Sequence, residues 1–203
     1  MGIFAVGFTA VAALLPVAIY QQQETINDVL TAQMEKNILA MLEARPPTEA
    51  SQQALQEISS PRWTAQDRRY PRGEQADQWL FQWQPLAELG ENGETILYAC
   101  ILRQQNGQPG TMVRLDVAYD SGSEQFNVAN SDDKFRPGDL VIIEQDDASS
   151  AAVHRVAEAS TGWFKVEGEV SYSGTVRTWR GDRTEQAGSN PLQKVVVVRG
   201  IWR

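Results

Sequence analysis

Cysteine and histidine are nearly absent from this chain of 203 residues, which contains one of each, Cys100 and His154. A single cysteine cannot form a disulfide within the chain, and the sequence has no cluster of cysteines and histidines for zinc. Cys100 lies in the apolar stretch 95–102, so we predict a buried strand residue that packs as a small hydrophobic group. A thiol nucleophile needs an activating neighbour, and we do not expect His154 to pair with Cys100.

Short catalytic and nucleotide-binding motifs are also missing. The sequence has no P-loop, no G-x-G-x-x-G and no G-x-S-x-G, which are the motifs that supply phosphate binding or a nucleophilic serine. We therefore predict that the protein is not an enzyme and has no cofactor.

Basic residues are scarce, and the formal net charge at pH 7 is −8. A nucleic-acid-binding domain usually shows a basic patch or stripe. The densest basic group is interrupted by acidic residues and consists of Arg62, Arg68, Arg69 and Arg72. This pattern predicts a solvated loop and no nucleic-acid partner.

The first twenty residues, Met1 to Tyr20, lack charge altogether. The first charged residue is Glu24 and the first positive one is Lys36. About 20 apolar residues in a helix span the ~30 Å hydrocarbon layer of a bilayer, and a helix satisfies its own backbone polar groups there. We predict a membrane segment, with a buried core helix as the alternative.

The stretch that follows, Gln21 to Glu43, has no glycine or proline and carries apolar residues at helix spacing. Arg45-Pro46-Pro47 would end a helix, because proline has no N–H to donate. The pattern predicts one continuous helix from about Gly2 to Ala44, with a membrane half and an amphipathic half.

The segment GIFAVGFTAVAALLPVAI, followed by a Gln-rich helix, resembles the N-terminal region of type IV pilins and type II secretion pseudopilins. Pro16 is similar in position to the proline that kinks their helix. The resemblance implies that a basic leader ending in Gly, then Phe or Met and a nearby Glu, lies upstream of Met1. It also implies that the helix mediates assembly, through Phe4, Phe8, Leu14, Leu15, Pro16, Glu24, Ile26, Leu30, Met34 and Ile38.

A pilin-like subunit would assemble into a type IV pilus or a secretion pseudopilus. The resemblance implies three kinds of partner: inner-membrane lipid, other pilin subunits, identical or different, and the assembly machinery. It places the protein in the bacterial inner membrane, with the β domain periplasmic, or extracellular after assembly. The alternative hypothesis is a single-pass membrane-tethered β domain that binds a ligand and has no filament role.

The rest of the chain predicts a connector over residues 46–75, with a short helix at Thr48–Ile58, and a β-rich domain over 76–203. Residues 1–45 are the helical domain. Segments of period two with turn signals between them indicate about eight strands: 78–84, 94–104, 111–119, 140–144, 153–158, 163–170, 172–179 and 194–202. The predicted fold class is α+β, with the long helix packed on a mostly antiparallel sheet or small barrel.

Two further side-chain groups bear on function. The acidic residues Asp132, Asp133, Glu144, Asp146 and Asp147 are weak candidates for a metal site, and some pseudopilins bind calcium in a β-domain loop. A calcium site needs several oxygen ligands, and we interpret these residues as solvated turn residues. The tryptophans of the β region are interpreted as core or rim residues rather than a sugar-binding platform.

Overall fold

The structure, a computed structural model, describes residues 2–47, 54–58, 63–72, 75, 79–105, 107–129, 135–144, 151–182 and 190–200. Within residues 2–20 only the side chain of Ala18 is described. The chain divides into two compact units, Met1–Ala40 and Met41–Arg203.

A single helix, α1, spans Gly2–Ala44. Its last turn is closed by the N–H of Arg45, which donates to the carbonyl of Met41 at 2.7 Å, and Pro46 cannot continue the ladder because it lacks a donor. Of the predicted assembly residues, Glu24 and Ile26 are exposed, Leu30 is half-buried, and Met34 and Ile38 are buried. The side chains of Phe4, Phe8, Leu14, Leu15 and Pro16 lie outside the described part of the chain.

The prediction of a membrane anchor is contradicted. Among the residues whose placement is described, no helix is long and apolar enough to cross a membrane. A span needs about 20 consecutive apolar residues, whereas the described part of α1 from Gln21 onward carries Glu24, Asp28, Glu35 and Lys36. This finding contradicts the predicted inner-membrane localisation, with its periplasmic or extracellular β domain.

The second unit contains a five-stranded antiparallel sheet and a closed six-stranded barrel. The sheet consists of β1 (Gln56–Glu57), β2 (Arg69–Tyr70), β3 (Phe81–Leu89), β4 (Thr95–Arg103) and β11 (Leu192–Gly200). β3 and β11 flank β4, and the short strands β1 and β2 both pair with the other edge of β3.

The barrel consists of β5 (Met112–Asp120), β6 (Gln125–Val128), β7 (Leu140–Glu144), β8 (Ala152–Ser160), β9 (Trp163–Val166) and β10 (Thr175–Gly181). Its strand order is β10-β5-β6-β9-β8-β7, and β7 returns to pair with β10. Its interior is apolar and includes Val117, Phe126, Phe164 and Val176, with the rings of Phe126 and Phe164 stacked at 4.9 Å.

The sheet packs on the outside of the barrel through a second apolar cluster. From the sheet it contains Leu86, Ile96, Tyr98, Cys100, Leu102 and Leu192, and from the barrel Met112 and Ile142. Alternation along β7 explains this arrangement, because Val141 and Ile143 belong to the barrel interior while Ile142 belongs to the sheet–barrel cluster. A strand that is buried on both faces has a continuous apolar sequence, and residues 140–143 of β7, LVII, form such a run.

The predicted fold class, a long helix packed on one antiparallel β domain, is contradicted, and with it the pilin-type architecture. Six strands close on themselves, so their apolar faces are buried inside the barrel, and one face of the sheet is buried against the barrel wall. The predicted short helix at Thr48–Ile58 was also wrong where the structure describes it, since Gln56–Glu57 is β1. The earlier residues of that segment lie outside the described part.

Candidate functional site

A cavity of about 380 Å³ lies where the edge of the sheet meets the first strand of the barrel. Its walls come from β1, from the turn before β2, from β3 and from the start of β5. The lining residues are Glu57, Ala65, Arg68, Arg69, Gln82, Trp83, Gln84, Pro109, Thr111 and Met112.

Two amide side chains on β3 form one wall, and their hydrogen bonds fix which way each amide points. Gln84 is buried, and its Oε1 accepts from the N–H of Met112 at 2.9 Å. Gln82 donates from Nε2 to the carbonyl of Gly110 at 2.6 Å. Because a backbone N–H only donates and a carbonyl only accepts, the orientations follow. The Nε2 group of Gln84 and the Oε1 atom of Gln82 are thus left for other partners.

Gly110 is required for this junction between the sheet and the barrel. A Cβ atom at this position would lie 2.7 Å from the carbonyl oxygen of Arg103 and 3.1 Å from the Leu102 side chain. Only glycine lets the chain that leads into β5 approach the end of β4 so closely. The close approach places the carbonyl of Gly110 within reach of Gln82.

The second wall is basic, and a turn over residues 64–67 organises it. The side chain of Asp67 accepts from the N–H and the hydroxyl of Thr64, at 3.0 and 2.9 Å. Asp67 also forms ion pairs with Arg45 at 3.4 Å and Arg72 at 3.9 Å. The hydrogen bonds from Thr64, with those two arginines, hold the pKa of Asp67 below its usual value.

Arg68 is the adjacent residue, and its guanidinium forms no ion pair with any described residue. Arg69 lies over the ring of Trp79 at 4.9 Å. The basic group that the sequence analysis interpreted as a solvated loop therefore supplies two arginines to the cavity wall. In a chain of net charge −8, this is a locally positive site.

The tryptophans near the cavity are core residues, as predicted. Trp63, Trp79 and Trp83 are all buried, and the rings of Trp63 and Trp83 are 5.1 Å apart. Trp63 donates from its indole N–H to the carbonyl of Arg45 at 3.1 Å. Trp83 lines the cavity, and its indole N–H has no partner in the described part of the chain. This N–H is enclosed in the core, on the face of β3 opposite Gln82 and Gln84, so it does not point into the cavity.

Of the five metal candidates, only Glu144 lies in the described part of the chain. Asp132, Asp133, Asp146 and Asp147 lie outside the described residues. Glu144 accepts from the N–H of Leu55 at 3.0 Å and forms an ion pair with Arg177 at 2.9 Å, so its carboxylate is engaged in the fold. The described residues include no group of three or more His, Cys, Asp or Glu side chains that could hold a metal ion.

Cys100 is a buried strand residue, as predicted, and burial raises the pKa of its thiol well above the usual range. It belongs to the sheet–barrel cluster. His154 lies on β8 of the barrel and forms a hydrogen bond through Nε2 with the Tyr172 hydroxyl at 2.8 Å. The two residues are therefore in different layers of the fold, and no nucleophile–base pair is formed between them.

Sequence reasoning missed the cavity, although one signal was present. The segment QWLFQWQ places tryptophan and phenylalanine on one face of a strand, and that alternation necessarily puts Gln82 and Gln84 on the other face. Two amides in a strand flanked by buried strands predict a polar feature in the interior. The approach of Arg68 could not be inferred, because it depends on the pairing of β2 with β3.

Searches against protein-family models, curated proteins and solved structures found no match for this chain.

Proposed function

We propose that the unit Met41–Arg203 is a non-catalytic binding module for a small ligand that carries a carboxylate. The observation behind this proposal is the donor-rich lining of the cavity, to which Arg68 and the amide of Gln84 both contribute. A planar carboxylate accepts two hydrogen bonds side by side from a guanidinium, and such charge-assisted bonds are the stronger kind. The amide Nε2 of Gln84 would add a further hydrogen bond.

The size and polarity of the cavity support a small ligand. Ligand pockets occupy about 300–1,000 Å³, and this cavity, at about 380 Å³, is at the lower end of that range. The Oε1 atom of Gln82 and the carboxylate of Glu57 add acceptors, so a ligand with an amino or hydroxyl group beside its carboxylate would use both.

The lining gives no support to catalysis. Its described residues include no histidine, cysteine, serine or tyrosine and one threonine, Thr111, whereas covalent catalysis depends on a nucleophile beside a general base. This proposal retains the ligand-binding part of the alternative hypothesis from the sequence, without its membrane tether. The filament role, with its partner subunits and assembly machinery, stays a prediction from the resemblance alone.

The test is calorimetric titration of the full chain with a panel of small monocarboxylates, dicarboxylates, amino acids and inorganic phosphate. We expect saturable binding of one carboxylate class, weaker at high salt because the pairing is electrostatic. Arg68→Gln should weaken binding about tenfold to a hundredfold, the effect of losing a hydrogen bond to a charged group. Arg114→Gln, at an exposed position on β5, is the matched control and should bind normally.

Gln84→Glu is a sharper variant. A glutamate keeps the acceptor for the N–H of Met112 but replaces the donor Nε2 with a second acceptor, so carboxylate binding should be lost while the fold is retained. Circular dichroism verifies the fold. If no member of the panel binds, or if both variants bind as the Arg114→Gln control does, the proposal is wrong.

A further inference from the structure

A second polar site lies deeper in the sheet–barrel interface, and it involves a buried glutamate. Glu88 on β3 is only 1% exposed, and Tyr98 beside it on β4 is also 1% exposed. Glu88 accepts from the N–H of Ala151, just before β8, at 3.0 Å through Oε1 and 3.2 Å through Oε2. A side chain of the sheet thus holds the backbone of the barrel.

The oxygen atoms around Tyr98 require one more hydrogen than the tyrosine supplies. The hydroxyl oxygen of Tyr98 lies 2.8 Å from Oε1 of Glu88 and 2.6 Å from the carbonyl oxygen of Ala151. Both distances are those of full O–H···O hydrogen bonds. Tyrosine has a single hydroxyl hydrogen, and the Ala151 carbonyl can only accept. The tyrosine hydrogen therefore belongs to the Ala151 contact, and the hydrogen between Tyr98 and Glu88 has to come from the carboxyl group.

We propose that Glu88 is a neutral carboxylic acid in the folded protein and that its proton latches the sheet to the barrel. The O–H of Glu88 donates to Tyr98, Tyr98 donates to the carbonyl of Ala151, and the N–H of Ala151 donates back to the Glu88 carboxyl. The three groups form a closed ring of hydrogen bonds, and losing the proton would open it.

Three titratable or charged side chains of the described chain act on Glu88, each from a different strand. Tyr98 is on β4, Arg199 is on β11 and Glu144 is on β7. Glu144 is ion-paired with Arg177 of β10 at 2.9 Å, so it keeps its negative charge and disfavours a second one nearby. Burial is the first cause that raises the pKa of Glu88, and Glu144 adds to the rise, whereas the hydrogen bonds from Tyr98 and Ala151 and the charge of Arg199 oppose it.

Glu144 makes the reciprocal contact in the same interface. It lies on the barrel and accepts from the N–H of Leu55, next to β1 of the sheet, at 3.0 Å. Each layer therefore holds a backbone N–H of the other with a buried glutamate. Of these two glutamates, only Glu144 has a cation at ion-pair distance among the described residues. The two carboxyl groups therefore differ in charge.

Because the pKa of Glu88 is raised in the folded chain, the stability that this group contributes falls as the pH rises. A carboxyl that binds its proton more tightly in the folded chain than in the unfolded chain contributes stability below the unfolded value, about 4.3. That contribution is lost as the pH rises through the higher folded value. The latch therefore weakens as the pH rises above about 4.3, opposite to the usual behaviour of a paired carboxylate.

The experiment compares the thermal midpoints of wild type and Glu88→Gln from about pH 4.5 to about pH 8, a range that begins near the ~4.3 of an exposed glutamate. The amide is neutral and can donate to Tyr98 as the acid does. The difference between variant and wild type should be small at the acid end and should grow in favour of Glu88→Gln as the pH rises. Glu158→Gln, at an exposed position on β8, is the matched control for removing one carboxylate.

Glu144→Gln is the contrasting variant, because it leaves Arg177 without its carboxylate. Its midpoint should fall by at least about 5 °C.

If Glu88 were ionised, Glu88→Gln would lose stability relative to wild type as the pH rises, and the proposal would be overturned. Infrared difference spectra of wild type against Glu88→Gln at about pH 6, above the ~4.3 of an exposed glutamate, give a second readout. A protonated carboxyl band is expected, and its absence contradicts the proposal.

Discussion

The imidazole of His154 contacts a group of tyrosine side chains in the barrel, and this environment changes its pKa. It forms a hydrogen bond with Tyr172, and the ring of Tyr172 is in turn 5.9 Å from that of Tyr119. Tyr119 donates its hydroxyl to the carbonyl of Val170 at 3.1 Å. Desolvation lowers the pKa of His154 below its usual value, because a partly buried imidazole loses the water that would stabilise its charged form.

We expect the imidazole of His154 to titrate below about 6.5, the value of an exposed histidine. Stability from the neutral imidazole is then present above that value and is lost as the pH falls through the folded pKa. Since His154 is the only histidine, its NMR titration needs no assignment by mutation, and the same chain in urea is the control. A folded pKa equal to or above the urea value would contradict this prediction.

β7 is the strand on which the two layers of the second unit depend, because its side chains are buried on both faces. Ile142 is fully buried in the sheet–barrel cluster, whereas Val153, its partner on β8, is 37% exposed. Large-to-small substitutions in a packed core remove contacts and leave a cavity behind.

Ile142→Ala should lower the free energy of unfolding by about 2–5 kcal/mol, the usual cost of this substitution in a core. Val153→Ala on the neighbouring strand should cost less than about 1 kcal/mol, since much of its side chain is already in water. Urea denaturation of the full chain measures both. Equal effects of the two substitutions would argue against β7 as the shared strand.

Strands with a strong local pattern were predictable. Leu140–Glu144 has the predicted bounds, and Thr95–Arg103 lies within the predicted 94–104. β3 was predicted to end at Gln84 but continues to Leu89, because Pro85 lies on the edge that β1 and β2 cover only in part, where a missing N–H is tolerated. β1 was not predictable, since two residues form a strand only through their register with β3.

At the scale of the whole molecule, the arrangement of the layers was the part that sequence reasoning could not supply. The closing pair of the barrel, β7 with β10, joins segments more than thirty positions apart, as in Glu144 opposite Arg177. The cavity likewise combines Arg68 before β2 with Gln84 of β3 and Met112 of β5. Period-two patterns show which residues share a face, but they do not say which strands are neighbours.

We expect the sheet and the barrel to unfold in one transition, because Leu86 and Ile96 of the sheet share a single apolar cluster with Ile142 of the barrel. Labelling of the Cys100 thiol reports on the sheet, and the NMR signals of the His154 imidazole report on the barrel. The two curves should coincide in urea. Two separated midpoints would mean that the layers are independently stable.

The barrel is inserted between two neighbouring strands of the sheet, and this affects the order of folding. Its first and last residues, Met112 and Gly181, are paired, and the N–H of Arg103 donates to the carbonyl of Pro191 at 2.7 Å. Pairing β4 with β11 in an unfolded chain would close a loop of about ninety residues, whereas a folded barrel leaves only the connections 104–111 and 182–191. The folded barrel thus shortens the loop between β4 and β11 by a little over two halvings. This lowers the entropic cost of closing the loop by on the order of 1 kcal/mol. We therefore expect the barrel to form first, after which β11 joins β4 almost as the second arm of a hairpin.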